Sequence, residues 1–194
     1  MLRRKAGKPR NSETTKDLIL GAARERFAAD GYERATIRAI AEGAEIDPAL
    51  VMRYFGNKEK LFAAAADFDL RLPDLTALPR HQVGAALVEH FMDRWETDDT
   101  FMALVRAAVT NEAAAKKVRT VLSGQVAPVV AALSGEPQRA PLRAGLVASQ
   151  VLGMAICKYI LRLPPAVAMS RADVIKWIGP TVQRYLVGNL GAEG

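Results

Sequence analysis

The stretch from Thr36 to Phe55, TIRAIAEGAEIDPALVMRYF, constrains the fold more than any other part of this chain. Thr36 carries the side-chain oxygen that caps a helix start, and Ile37, Ile40 and Ala41 recur behind it at helical spacing. Glu42, Gly43, Ala44 and Glu45 then interrupt the pattern, and Asp47-Pro48 restarts a helix, with Asp as cap and Pro at the first helical position, where its missing N–H costs nothing. Two short helices joined by a turn of about 3–4 residues make a helix-turn-helix, the arrangement that places a second helix in the DNA major groove while the first crosses the backbone. The same residues also suit a plain two-helix corner in a bundle, and short capped helices alone do not separate the two readings.

Spacing on the second helix turns Ile46, Leu50 or Val51, and Phe55 inward and leaves Pro48, Ala49, Met52, Arg53 and Tyr54 outside. Small, apolar and aromatic groups with one Arg can approach base edges and thymine methyls, with the Arg and the Tyr hydroxyl left for a phosphate or a guanine. Leu50 is kept among the candidate contacts. Arg38 on the outer face of the first helix, the N–H groups at Thr36, and Lys58 further on are placed to hold phosphate.

With its flanks added, the run from Gly31 to Phe62 resembles the N-terminal DNA-binding domain of the TetR family of one-component bacterial regulators. The resemblance covers roughly the first third of the chain. It is carried by Gly31 closing the first helix, Thr36 opening the second, Ile40-Ala41, the Tyr54-Phe55 pair, and Lys58-Glu59-Lys60-Leu61 opening the fourth. Two positions depart from the family pattern. Glu45 stands where the family has a turn glycine, so a residue with a Cβ must take the backbone conformation of that turn, and the left-handed region is unfavourable for Glu. Met52 stands where the family commonly has a phosphate-contacting tyrosine.

The charge is uneven along the chain. Of a net +6, five charges come from Arg3, Arg4, Lys5, Lys8 and Arg10, ahead of any acidic residue. A basic arm over residues 1–11 can displace counterions from phosphates or lie in a minor groove, with Arg4 and Lys5 as candidate contacts. No apolar segment follows that basic start, so no signal peptide is read, and the weakly polar run from Arg143 to Lys158 looks too short and too polar to span a bilayer. A soluble, cytoplasmic protein without membrane contact is expected. Cys157 is the single cysteine, set among apolar neighbours as a small hydrophobe, and no metal site or cofactor is expected.

Taken in order, the chain reads as all-α. Ser12 or Thr14 starts a first helix, Thr14 and Asp17 matching a capping box, and Asp30-Gly31 ends it. The helix-turn-helix domain covers 12–56, a linking helix opened by Asn57 covers 57–72, and Pro73 and Pro79 mark the start of a second helical domain over 73–194. In it, helices are expected over Val83 to Trp95, Thr100 to Val109, Glu112 to Leu133 with a break near Pro128, Leu142 to Leu163, and Arg171 to Val187. Ser170 caps the last of these, and Gly179-Pro180 should kink or split it.

Leu142 to Leu163 is apolar nearly all round and needs cover on every side. With the last helix it is expected to form a four-helix interface between two copies, through Gly145, Ser149, Gly153, Trp177, Val182 and Tyr185. The resemblance implies the same homodimer, which presents two heads to half-sites about 34–36 Å apart on a palindromic operator in double-stranded DNA. Phe91, Trp95, Met102 and Met154 supply flexible and aromatic groups suited to an apolar or aromatic small-molecule effector. Arg106 and Gln150, with His90 and Lys158, are candidate polar contacts. The mechanism implied is a repressor released when effector favours a head spacing wrong for DNA. No enzyme is expected, because the two histidines come with no nucleophile motif and no phosphate loop. The alternative is a helical ligand-binding or protein-interaction module whose DNA-reading head is weakened by Glu45 and Met52.

Overall fold

The computed structural model describes residues 12–65, 69–97 and 99–189. Every regular element among them is helical. The chain divides into two compact units, Met1–Asp67 and Phe68–Gly194.

The first unit holds α1 (Ser12–Arg34), α2 (Ile37–Gly43), α3 (Pro48–Phe55) and α4 (Lys58–Ala65). Because α1 already runs from Ser12, Thr14 lies inside it, and the Thr14–Asp17 pair does not start the helix as the sequence pattern predicts. At Gly31 the backbone leaves the helical region (φ 76, ψ 168), a conformation open to glycine, and one last turn follows to Arg34. Ile19, Ala23, Phe27, Ile40, Ala41, Val51, Leu61 and Phe62 form the core. Phe62 of α4 stands edge-on to Phe27 at 4.9 Å and to Tyr32 at 5.0 Å, geometries that aromatic quadrupoles favour. Arg24 Nε donates to the Ala65 carbonyl (3.0 Å), closing the C-terminal end of α4 onto α1. Asn57 caps α4 by accepting from Lys60 N (2.8 Å).

The expected linking helix over 57–72 is therefore shorter. It is helical over Lys58–Ala65, whereas residues 69–72 belong to no helix and Arg71 sits at φ 49. Those residues are anchored in the second unit: Leu70 is buried, its N–H donates to Gln125 Oε1 (2.7 Å), and its carbonyl pairs with the His90 ring (2.8 Å).

The second unit contains α5 (Val83–Thr97), α6 (Asp99–Ala108), α7 (Glu112–Val121), α8 (Ala127–Ser134), α9 (Ala140–Ala155), α10 (Pro164–Ala168) and α11 (Arg171–Val187). The break expected near Pro128 is a π-helical segment, Leu122–Val126. Pro128 has no N–H to offer, and the chain accommodates this by widening to the Ala127 N–H to Leu122 O bond. A second π segment, Ile156–Ile160, closes α9, ahead of the proline stop expected after Leu163. The helix is not split at Gly179-Pro180: α11 runs on through Pro180 as one helix.

Packing explains why that position is glycine. α5 and α11 lie against each other, and a Cβ on Gly84 would sit 2.5 Å from both Gln183 N and Gly179 O. The two backbones touch there. Gln183 fastens the contact from both ends of its amide, accepting from Gly84 N (2.7 Å) and donating to Arg80 O (2.7 Å).

Arg143 is buried inside the second unit. Its guanidinium donates to Tyr185 O (2.9 Å) and Gly188 O (2.9 Å), carbonyls at the end of α11, and pairs with Glu136 at 2.7 Å. The hydrogen bond from Arg143 holds the Glu136 carboxyl below the usual range. Contrary to the expectation of a run too short and too polar, the helical stretch Pro137–Ile160 spans 24 residues and holds an 18-residue window with a mean hydropathy of 1.4, so length and composition alone do not exclude it from a bilayer. Its inward side, including Arg143, Val147 and Val151, is instead packed in this fold.

Gly84→Ala should lower unfolding stability by about 2–3 kcal/mol in chemical denaturation, since the added methyl meets backbone on both sides. An unchanged midpoint would show that α5 and α11 are not in the contact described.

Candidate functional site

The corner between α2 and α3 is built by backbone hydrogen bonds at the end of α2. Glu45 N–H donates to Glu42 O (3.0 Å) and Ile46 N–H to Ala41 O (2.9 Å), the paired bonds of a Schellman motif. That motif requires a left-handed residue, and Glu45 takes it at φ 54. Asp47 then caps α3 by accepting from Ala49 N (2.7 Å), with Pro48 at the helix start. The turn is formed without its glycine.

On α3, Val51 faces the core while Pro48, Ala49, Met52 and Arg53 are exposed, Met52 to 42%. Leu50, Tyr54 and Phe55 are half-buried, so Leu50 and Tyr54 present less of themselves than the fully outward residues do. Tyr54 lies 5.9 Å from the Lys16 ammonium. Arg38 is exposed on α2, and neither it nor Arg53 is paired with an acid among the described residues. Thr36 Oγ1 accepts from Ala39 N (3.1 Å), which leaves its own O–H to donate outward. Lys58 is half-buried: its ammonium donates to Glu33 O (3.0 Å) and lies 4.5 Å from the Tyr32 ring centre. It therefore holds α4 against the end of α1 while keeping donor capacity. Arg4 and Lys5 lie outside the described residues.

The six residues expected to meet a small molecule fall in separate surroundings. Phe91, Trp95 and Met102 are core residues; the Phe91 and Trp95 rings stack at 5.7 Å, and Tyr159 meets Trp95 at 6.1 Å. Arg106 is exposed, because its place on α6 points away from the buried side of Phe101, Met102 and Val105. Gln150 and Met154 line a different feature, an open, almost wholly apolar groove of about 520 Å³ walled by Cys157, Pro164, Met169 and Ile178. His90 and Lys158 have structural work: His90 holds Leu70, and Lys158 Nζ donates to Ala166 O (3.3 Å), Val167 O (3.2 Å) and Met169 O (2.6 Å), closing α10.

Of the expected interface residues, Gly145 and Ser149 are exposed, Trp177 is 67% exposed, and Gly153 and Tyr185 are half-buried. Val182 is a correction: it is fully buried on the inward side of α11 and has no surface to offer a second copy. Ser149 and Gly153 also line the groove that holds Gln150 and Met154, so residues assigned to two roles share one face.

Sequence reasoning missed Arg143 and Arg171. The latter pairs with Asp93 (2.6 Å), Glu89 (3.5 Å) and Glu96 (3.6 Å), which recur at helical spacing on α5. That acidic spacing was the signal available. Replacing Glu45 by Gly should raise stability by about 1 kcal/mol in thermal or chemical unfolding, because the left-handed conformation no longer opposes a Cβ. A loss of stability would contradict the strained turn.

Comparison with known proteins agrees with this architecture. Residues 19–65 match the family described as bacterial regulatory proteins, tetR family, and residues 81–186 match the tetracyclin repressor-like C-terminal domain. The HTH-type transcriptional repressor AcnR of Corynebacterium efficiens is 44% identical over 62 residues, covering 32% of this chain and 31% of the relative. The regulator TcmR of Streptomyces glaucescens is 38% identical over 52 residues, 27% of this chain and 23% of the relative. The matches thus span about a third or less of these curated relatives. Among solved structures, a TetR-family regulator from Streptomyces coelicolor superposes with a TM-score of 0.56 at 28% identity, covering 93% of this chain and 99% of that one. A transcriptional regulator from Rhodococcus sp. RHA1, at 21% identity, shares the fold with a TM-score of 0.64 over 88% of this chain and 95% of its own. With both its domains matched, the chain belongs to the TetR family of bacterial transcriptional regulators, which are DNA-binding proteins and not enzymes.

Proposed function

We propose that this chain is a cytoplasmic transcriptional repressor that binds a palindromic operator as a homodimer and leaves it when a small apolar or aromatic effector binds the second unit. The observation that carries the reading is the outward face of α3, where Pro48, Ala49, Met52 and Arg53 stand exposed on a rod set by the Glu45 turn. Small groups there allow close approach to base edges, and Arg53 can reach a guanine or a phosphate. Arg38, the Thr36 hydroxyl and Lys58 supply the sequence-independent phosphate contacts, and Arg4 and Lys5 extend them along the duplex.

The alternative, a head too weakened to read DNA, draws on Glu45 and Met52. Glu45 carries little weight for it, since the turn forms with its full set of hydrogen bonds. Met52 exchanges a phosphate contact for an apolar one, which alters what is read more than whether it is read.

Dimerisation through α9 and α11 is favoured by Gly145 and Ser149, which leave room for a second helix, and by Trp177, a large exposed side chain of the kind that anchors interfaces. Leu142, exposed to 61%, extends the same apolar strip. The effector acts by population shift: it binds best where the two heads are misplaced for adjacent major grooves, and linkage makes DNA weaken effector to the same degree.

In gel shifts with DNA flanking the protein's own gene, log affinity should fall with log salt at a slope of several units, about −0.9 for each phosphate neutralised. Arg38→Ala and Lys58→Ala should weaken every duplex alike, whereas substitutions at Pro48, Ala49 or Arg53 should change sequence preference. Equal, weak binding to all duplexes by the unaltered protein would overturn the repressor reading. Ser149→Arg and Trp177→Glu should each halve the mass seen by sedimentation while leaving the helical circular-dichroism signal intact. An unchanged mass in both variants would place the dimer contact elsewhere.

A further inference from the structure

Trp95 is 96% buried by its 4% relative exposure, and its indole Nε1–H meets no hydrogen-bond partner among the described residues. Buried tryptophans ordinarily find an acceptor for that proton, and leaving it unmet destabilises the free protein. Polar groups on neighbouring residues are already engaged. His90 pairs with the Leu70 carbonyl, the Tyr159 hydroxyl donates to Glu96 (2.9 Å), and Arg171 holds Glu96 and Asp93. Burial and the hydrogen bond to Glu96 also push the Tyr159 hydroxyl pKa well above its ordinary value, so it stays a neutral donor and offers no phenolate to the indole.

The surroundings of the ring restrict what can supply the missing acceptor. Phe91 stacks on it at 5.7 Å and Tyr159 stands edge-on at 6.1 Å, while Met92 on α5 and Met102 on α6 are buried, unbranched side chains that can yield space to a guest. A hydrocarbon guest would leave the N–H unmet. A protonated amine would set donor against donor. A carboxylate would bring a further negative charge toward α5, which already carries Glu89, Asp93 and Glu96.

We propose that Trp95 donates its indole N–H to a neutral carbonyl oxygen, that of a ketone or an ester, on an otherwise apolar or aromatic effector. This rests on the effector-released repressor reading and assigns the chemistry of one contact within it. Acceptance of that hydrogen bond is present only in the complex, so it separates a carbonyl compound from the hydrocarbon of the same shape.

The chain has two tryptophans, so in Trp177→Phe protein Trp95 is the single indole. The probes are benzophenone and diphenylmethane, which differ by a carbonyl in place of a methylene. Benzophenone should bind about 10-fold tighter or better, and the indole N–H proton resonance in ¹⁵N-labelled protein should move downfield with the ketone only. Trp95→Phe in the same background should abolish the preference while leaving diphenylmethane affinity within about twofold. The resonance shift needs no change at position 95 and stands even if that variant folds poorly. Equal affinities, or a preference without an indole shift, overturn the Trp95 assignment and leave the effector reading intact. Binding of neither probe overturns both, and operator retention by the unaltered protein reports separately on the DNA-binding reading.

Discussion

A single residue in the left-handed region sets the angle at which α3 leaves α2, and the exposed face of α3 depends on that angle. Glu45 at φ 54 allows the N–H groups of Glu45 and Ile46 to close onto Glu42 and Ala41, after which Asp47 and Pro48 start the next helix at once. Glycine would take this conformation without strain; Glu takes it at some cost, offset by the two backbone bonds that an extended residue would forfeit. Were Glu45 helical, α2 and α3 would merge and Val51 would leave the core. The outward set of Pro48, Ala49, Met52 and Arg53 exists because the turn holds.

The second unit depends on a different kind of constraint, close backbone approach. Gly84 and Gly179 remove the side chains that would separate α5 from α11, and Gln183 uses both halves of its amide to fix the register. Arg143 then satisfies the carbonyls at the end of α11 from within the protein. With its inward side committed to α5, α11 keeps Trp177 on the outside. Inward commitment also explains why Val182, one turn and a residue further on, is unavailable to a second copy.

Helix positions, caps and the α2–α3 corner were legible because each rests on local chemistry: Thr36, Asp47, Asn57 and Ser170 all cap where their neighbours predict. The outward face of α3 was legible for the same reason, apart from Tyr54, whose half-burial depends on neighbours from other helices. What was not legible came from tertiary contacts. Nothing within the α9 sequence tells that Arg143 is buried, since its carbonyl partners lie more than forty residues away. Periodicity selected Phe91, Trp95 and Met102 as apolar but could not separate core from cavity lining, and it placed Gln150 and Met154 with them although they line an open groove. Val182 failed by rotation about a helix axis, a matter of which face the packing selects.

The most direct test of α3 as the DNA-reading element is site-directed photo-crosslinking from its exposed face. Cys157 is the only cysteine, so Cys157→Ser with Ala49→Cys carries one attachment point on α3, and Cys157→Ser with Ala132→Cys carries one at an exposed position of α8 as a control. Crosslinks from position 49 should map to major-groove bases in two half-sites about 34–36 Å apart, with none from position 132. Retained operator binding with no crosslink from position 49, or the same scattered pattern from both positions, would contradict the account.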